Sequence, residues 1–139
     1  MNTQGIPVVI ARILLALMFV LAGFGKLTGL EGTAGYIASK GLPLPMVLAV
    51  ATGVLELVAG LLLIIGWQAR LFALLLAIFT AIAAYFFHDF WHYPSGAEHT
   101  NNMIHFMKNV SMIGGLLMLA GVGAGRYSLD GPCIRPQYL

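Results

Sequence analysis

Four long apolar stretches, separated by short polar or glycine- and proline-rich segments, dominate the order of hydrophobic and polar residues along the chain. Each stretch has about the 20 residues that an α-helix needs to cross the hydrocarbon core of a bilayer. The segment from Gly41 to Pro45 and the glycine at position 66 are typical helix breakers. The pattern predicts an all-α membrane protein, a single domain over residues 1–139 that forms a four-transmembrane-helix bundle with helices at residues 6–27, 45–65, 70–91 and 103–122.

The connections between these helices are short. Only Trp67, Gln68 and Ala69 separate the second and third predicted helices, so these two helices should be antiparallel neighbours. Residues 32–40, between the first two helices, are expected to form a short helix at the membrane interface.

The composition agrees with a membrane environment. Hydrophobic residues make up 60% of the chain and charged residues 9%, with a mean hydropathy of +0.91, whereas soluble domains carry about 25% charged residues. The seven Lys and Arg residues are scattered and form no basic run, which argues against a nucleic-acid partner. Cys133 is the only cysteine, so the chain cannot form a dithiol pair of its own.

Basic residues in the short loops predict the orientation of the bundle. Arg70, Arg126 and Arg135 fall on the side that holds both termini, while Lys40 is the only basic residue clearly outside a helix on the other side. We therefore expect both termini in the cytoplasm and the loops near Lys40 and Ser95 outside.

Charged residues within the apolar stretches are the main candidates for function, because a charge in hydrocarbon costs about 2.5–3.5 kcal/mol on insertion scales unless it is paired. Glu56 lies in the middle of the second helix, on one face with Gly53 and Gly60. From the expected depths, its partner should be Arg12 or Lys108. Alternatively, the long side chains of Arg12 and Lys26 could each extend to the nearer membrane interface. Lys26 and His88 should lie near the outer boundary of the hydrocarbon core.

Lys108 and Asn109 form a second polar feature, on the fourth helix, and are expected to point into the bundle together. With Glu56 and His88 they would line a site that opens toward the outer leaflet, with Lys26 and Trp91 near its mouth. Alternatively, the Lys-Asn pair only anchors Glu56.

Histidines near the end of the third helix raise the question of a metal site. His88 and His92 would share one face if this helix continued to residue 92, a spacing that permits metal ligation. Such a pair beside Trp91 is also typical of a polar membrane interface, and we predict no metal site.

The polar and small residues, taken in order, resemble the DoxX family from about Arg12 to Asp130, and most closely its small bacterial inner-membrane members of uncharacterised function. The residues that carry the resemblance are Arg12 with Gly23-Phe24-Gly25-Lys26, Gly53-Val54-Leu55-Glu56 with Gly60 and Gly66, His88-Asp89-Phe90-Trp91, and Asn102-Met103-Ile104-His105-Phe106-Met107-Lys108-Asn109.

The resemblance implies a bacterial inner-membrane protein with a connection to redox chemistry. The namesake relatives are membrane subunits of a thiosulfate:quinone oxidoreductase, and other members are partners of oxidative and thiol-stress enzymes. It places a quinone-head or proton-handling role on four residues, with Lys26 as a second cation: Glu56, His88, Lys108 and Asn109.

Three functions follow as hypotheses, and they differ in whether the chain is itself an enzyme. The first is a quinone-binding subunit or partner of a soluble or membrane oxidoreductase, with quinone as the cofactor. The second is a membrane scaffold that binds a partner protein without catalysis. The third is a small lipid-modifying enzyme resembling sterol isomerases. A homo-oligomer is compatible with each.

Overall fold

The computed structural model describes residues 5–131 and consists of α-helices joined by short connections, with no strand in that range. The elements are α1 (Ile6–Thr28), α2 (Leu30–Ser39), α3 (Pro45–Ile65), α4 (Ala69–Phe87), a 3-10 turn (Phe90–His92) and α5 (Ala97–Val122). Four helices, all but α2, are long and apolar enough to cross a membrane. The predicted four-helix membrane fold is confirmed, and Cys133 and Arg135 lie outside the described residues.

Two helix boundaries differ from the prediction. α4 ends at Phe87, not at residue 91, because the backbone of His88 leaves helical geometry and a separate 3-10 turn follows. α5 begins at Ala97, not at residue 103. The first turns of α5 are polar, so the apolar stretch that marked the predicted helix begins later than the helix itself. Polar residues can form a helix outside the bilayer, and the negative charge of Glu98 in the first turn stabilises the positive end of the helix dipole.

Small residues bring α1 and α3 into close backbone contact. A Cβ atom added at Gly23 would lie 2.5 Å from the backbone nitrogen of Leu57 and 2.7 Å from the carbonyl oxygen of Gly53. One added at Gly60 would lie 3.1 Å from the carbonyl oxygen of Ala16. These contacts confirm the face of α3 that the glycine spacing predicted, and they fix the position of α1 along α3.

Arg12 anchors one end of the bundle, which we call the proximal end; α1 begins and α5 ends there. Its guanidinium is buried and donates hydrogen bonds to the carbonyl oxygens of Ala124, Ile64 (3.1 Å) and Tyr127 (2.9 Å). Ile64 is in the last turn of α3, where carbonyls lack partners within the helix. Arg12 therefore ties the end of α3 to the segment after α5.

Further contacts of this segment close the proximal end. The carboxylate of Asp130 accepts hydrogen bonds from the backbone N–H groups of Gln68 (2.6 Å) and Ala69 (2.8 Å), at the start of α4. Arg70 donates to the carbonyl oxygen of Gly121 (2.7 Å), near the end of α5. The first turn of α4 is thus fixed from both sides.

The larger of two hydrophobic clusters fills the proximal half of the bundle, and the smaller one, formed by Ala34, Ile37 and Ala49, joins α2 to α3 at the other end. α1 packs extensively on α3, and α4 packs extensively on α5. In the proximal half these two pairs meet around the fully buried side chains of Leu63, Leu76 and Leu116. At the opposite end, which we call the distal end, α2 lies against α3 and a cavity remains below it.

Candidate functional site

A buried ion pair links α1 to α3. Lys26 Nζ donates a hydrogen bond to Glu56 Oε2 at 2.6 Å, and Glu56 is 5% exposed. The Cβ atom of Lys26 lies beside Gly53, 3.3 Å from the position that a Cβ added at this glycine would take. From there the side chain extends about one helical turn along α3, and its ammonium group reaches Glu56. The carboxylate in the middle of this span therefore has a cationic partner, as its depth requires.

The predicted partners of Glu56, Arg12 and Lys108, were wrong. α1 is displaced along its axis relative to α3, so Arg12 lies beside Gly66 at the proximal end, with Nη1 2.7 Å from a Cβ added there. The same displacement brings Lys26 down to the level of Gly53. The sequence-based depths assumed that the inner ends of these two antiparallel helices lie at the same level, and they therefore placed Lys26 too far out.

The ion pair lies in the wall of the distal cavity, whose volume is about 470 Å³. This volume falls in the range of pockets that hold small molecules, roughly 300–1,000 Å³. All the helices contribute, and most lining side chains are apolar. The polar ones are Lys26, Thr33, Tyr36, Thr52, Glu56, Thr80, His88 and Asn109.

Two of these polar groups are satisfied within their own helix. The hydroxyl of Thr52 donates to the carbonyl oxygen of Leu48 and that of Thr80 to the carbonyl oxygen of Leu76, both at 2.7 Å. Thr52 was not among the predicted site residues, although the step of four residues from Leu48 to Thr52 and on to Glu56 indicates that all three share one face.

The six residues predicted for the site fall into two groups. Four of them line the cavity: Lys26, Glu56, His88 and Asn109. The other two, Lys108 and Trp91, do not.

The orientation of Lys108 follows from helix geometry. Consecutive side chains on an α-helix point about 100° apart, because 3.6 residues complete a turn. Since Asn109 faces the cavity, Lys108 faces outward, and it is exposed. The two residues were expected to point inward together, and this expectation was wrong.

Trp91 belongs to an aromatic cluster outside the cavity. Its ring centroid lies 5.7 Å from that of Tyr85 and 5.8 Å from that of Phe106. Such a cluster at the end of a membrane span is typical of an interfacial aromatic belt.

His88 lines the cavity, but the Nδ1 atom of its ring is not accessible from it. Its Nδ1 is buried and has no hydrogen-bond partner among residues 5–131, and its ring stacks on His105 at a centroid distance of 5.1 Å. Because α4 ends at Phe87, His88 and His92 do not share a helix face. Within the same range, no three His, Cys, Asp or Glu side chains group as metal ligands would.

Contacts join α2 and the segment after it to the end of α4 at the distal end of the cavity. The rings of Tyr36 and Phe87 lie with their centroids 5.2 Å apart and their planes tilted by 39°, and the Tyr36 hydroxyl donates a hydrogen bond to the Phe87 carbonyl oxygen at 3.3 Å. Lys40 forms an ion pair with Asp89 at 2.7 Å. Burial lowers the pKa of the Lys40 ammonium, but the hydrogen bond and the charge of Asp89 outweigh it, so the pKa lies above its ordinary value.

The fold and the cavity together define a small membrane protein of four spans with an ion pair in an internal, mostly apolar site. The DoxX family model matches residues 8–89. The chain belongs to the DoxX family, and the resemblance found in its sequence is confirmed.

Curated relatives agree with this family. The chain is 41% identical over 121 residues to "Inner membrane protein YphA" of Escherichia coli K12, an alignment that covers 87% of this chain and 86% of that protein. It is 39% identical to "Inner membrane protein YqjF" of the same organism, over 91% of this chain and 92% of that protein. A "Surfeit locus protein 4 homolog" of Schizosaccharomyces pombe is 30% identical over 55% of this chain and 26% of that protein. No solved structure matches.

Proposed function

We propose that this chain is a bacterial inner-membrane protein that binds the head group of a quinone in the distal cavity and serves an oxidoreductase as its membrane subunit or partner. The names of its two Escherichia coli relatives support the location. The observation that carries the proposed site is the Lys26–Glu56 ion pair in the wall of a mostly apolar cavity.

The ion pair has hydrogen-bonding capacity for both redox forms of such a ligand. The Lys26 ammonium has three donor hydrogens, of which Glu56 takes one, so Lys26 can also donate to a quinone carbonyl oxygen. Glu56 has a second carboxylate oxygen that can accept from a quinol hydroxyl. His88 also lines the cavity, and its imidazole can donate or accept a hydrogen bond, depending on its tautomer. These residues would hold the ligand and exchange protons with it.

The electrons would come from another protein. The chain has a single cysteine and cannot run a dithiol–disulfide exchange within itself. An oxidoreductase partner, as the DoxX resemblance implies, would reduce or oxidise the quinone that this chain holds.

We expect removal of either charge of the ion pair to weaken quinone binding at least about tenfold, a change of 1.4 kcal/mol in binding free energy. The measurement is the dissociation constant of a water-soluble, short-chain ubiquinone for the purified protein in nanodiscs, with Glu56→Gln and Lys26→Met as the test variants.

The chain offers a matched control for each substitution. Lys108→Met removes a lysine and Glu31→Gln a carboxylate, both exposed and neither lining the cavity. We expect affinities within about twofold of the unsubstituted protein for both controls. Equal affinities in all four variants, each shown to be folded, would mean that the ion pair is structural, and the scaffold hypothesis would then replace this one.

We also expect the proximal end of the bundle to face the cytoplasm, because Arg70 and Arg126 lie there. A fluorescent protein fused after Leu139 should be bright, while alkaline phosphatase fused there should be inactive. Phosphatase inserted after Ser95, in the distal loop, should be active. The reverse pattern would invert the bundle and place the opening of the site in the other leaflet.

A further inference from the structure

The three lysines of the chain have different surroundings. Lys26 and Lys40 each form an ion pair with a carboxylate, at 2.6 Å and 2.7 Å, while Lys108 is exposed on α5. Of the three, Lys26 lines the distal cavity and the other two do not. The side chain of Lys26 is therefore the amine that a molecule bound in this cavity would meet.

The Lys26–Glu56 pair can supply a neutral, nucleophilic amine. Glu56 is 5% exposed, and the lining around the pair is mostly apolar. Burial in such surroundings costs much more for charged groups than for neutral ones. Transfer of one proton across the 2.6 Å hydrogen bond turns the ammonium and the carboxylate into an amine and a carboxylic acid. Lysines in apolar pockets act as nucleophiles toward carbonyl compounds in this neutral form.

We propose that Lys26 condenses reversibly with an aldehyde that carries an apolar chain, and that Glu56 is the counter-ion of the resulting imine. The Nζ atom forms a bond to the aldehyde carbon, and one proton moves from the nitrogen to the former carbonyl oxygen. Glu56 then gives its proton to this hydroxyl group, the C–O bond breaks, and water leaves. In sum, one ammonium and one aldehyde give one protonated imine and one water, with Glu56 again a carboxylate and no change in oxidation state.

The cavity stabilises this product and selects its substrate. The positive charge of the protonated imine stays on the Nζ atom, 2.6 Å from Glu56 Oε2, so it keeps its partner. An apolar cavity holds little water, which slows hydrolysis of the imine. The apolar lining favours an apolar chain, and an aldehyde carbon is open to attack because it bears a hydrogen in place of a second chain. The inference uses the ion pair of the proposed function but does not depend on quinone binding.

The first measurement compares the three lysines within one protein. The full chain in phosphatidylcholine nanodiscs is incubated with decanal and sodium cyanoborohydride, which reduces imines to stable amines, and mass spectrometry locates the modified lysines. We expect Lys26 to be modified at least about tenfold faster than Lys40 or Lys108, because proton transfer by a positioned group contributes about 10²–10⁴-fold. Lys40 controls for ion pairing and Lys108 for exposure.

A second aldehyde tests the substrate class. With acetaldehyde, which has no apolar chain, the preference for Lys26 over Lys108 should fall. Modification of Lys26 by decanal at the rate of Lys108 or below would overturn the inference. An equal preference with both aldehydes would overturn the choice of an apolar substrate.

The last measurement tests Glu56 as the counter-ion, in a Lys40→Arg, Lys108→Arg protein where Lys26 is the only lysine. The aldehyde is p-dimethylaminocinnamaldehyde, whose protonated imine absorbs at longer wavelength than the neutral one. At neutral pH we expect the long-wavelength band in this protein and with Glu56→Asp, which keeps the carboxylate. Glu56→Gln should shift the band to shorter wavelength until acid is added, because the protonated imine has lost its counter-ion. A long-wavelength band in Glu56→Gln at neutral pH, or none in the parent protein, would overturn the role of Glu56.

Discussion

Gly23→Ala is expected to destabilise the protein by about 3 kcal/mol, at the upper end of the usual cost of overpacking. The new methyl group would lie 2.5 Å from the backbone nitrogen of Leu57 and 2.7 Å from the carbonyl oxygen of Gly53. Backbone atoms inside a helix cannot turn away as a flexible side chain can. α1 and α3 would have to separate along their whole contact, which would also lengthen the Lys26–Glu56 ion pair.

The matched control is Gly25→Ala, two residues further along the same helix. Nothing lies within 4 Å of a Cβ added at Gly25. Since alanine favours a helix over glycine by about 0.8–1.0 kcal/mol, this variant should be as stable as the unsubstituted protein or slightly more so. Reversible unfolding in mixed micelles measures both. A stable Gly23→Ala protein would mean that α1 and α3 are not in the described contact.

The second large effect concerns the ion pair. Lys26→Met leaves the buried carboxylate of Glu56 without its cation, and Glu56→Met leaves the ammonium in an apolar cavity. Breaking a buried pair costs about 3–5 kcal/mol, and we expect the lower end, about 3 kcal/mol, because 29% of the Lys26 side chain is exposed. The double variant should lose about 3–4 kcal/mol, little more than either single variant and less than the sum of about 6 kcal/mol, since two apolar side chains need no partner.

A double-mutant cycle measures this coupling directly. The expected interaction energy between positions 26 and 56 is about 2–3 kcal/mol. The same cycle on Lys108 and Glu31, two exposed residues, should give an interaction energy near zero. Additive losses at positions 26 and 56 would show that the two side chains do not depend on each other.

Hydropathy and helix periodicity predict most of this fold. Four apolar stretches of membrane-spanning length determine the number of spans, and the Gly53, Glu56 and Gly60 spacing identifies the face of α3 that meets α1. Four of the six predicted site residues line one cavity: Lys26, Glu56 and Asn109 from helices, and His88 from the residue after the end of α4. The family resemblance rests on the same residues.

The remainder depends on contacts that no local pattern encodes. The axial displacement of α1 along α3 follows from close glycine contacts, such as that of Gly23 with Leu57, and from the hydrogen bonds of Arg12. Because of this displacement, Lys26 and not Arg12 forms the ion pair with Glu56. Lys40 and Asp89 are 49 residues apart in sequence and meet only because α2 folds over the distal end. The outward direction of Lys108 was predictable in principle, since its neighbour Asn109 cannot share its face.

Photoaffinity labelling of the cavity tests the central claim most directly. A short-chain azidoquinone, irradiated with the protein in nanodiscs and located by mass spectrometry, should attach to lining residues such as Met112, Thr52 and Phe79. Excess unlabelled quinone should suppress these adducts, and Glu56→Gln should reduce them. Adducts confined to exposed, lipid-facing residues such as Leu14 and Met118, and insensitive to unlabelled quinone, would contradict a quinone site at the Lys26–Glu56 pair.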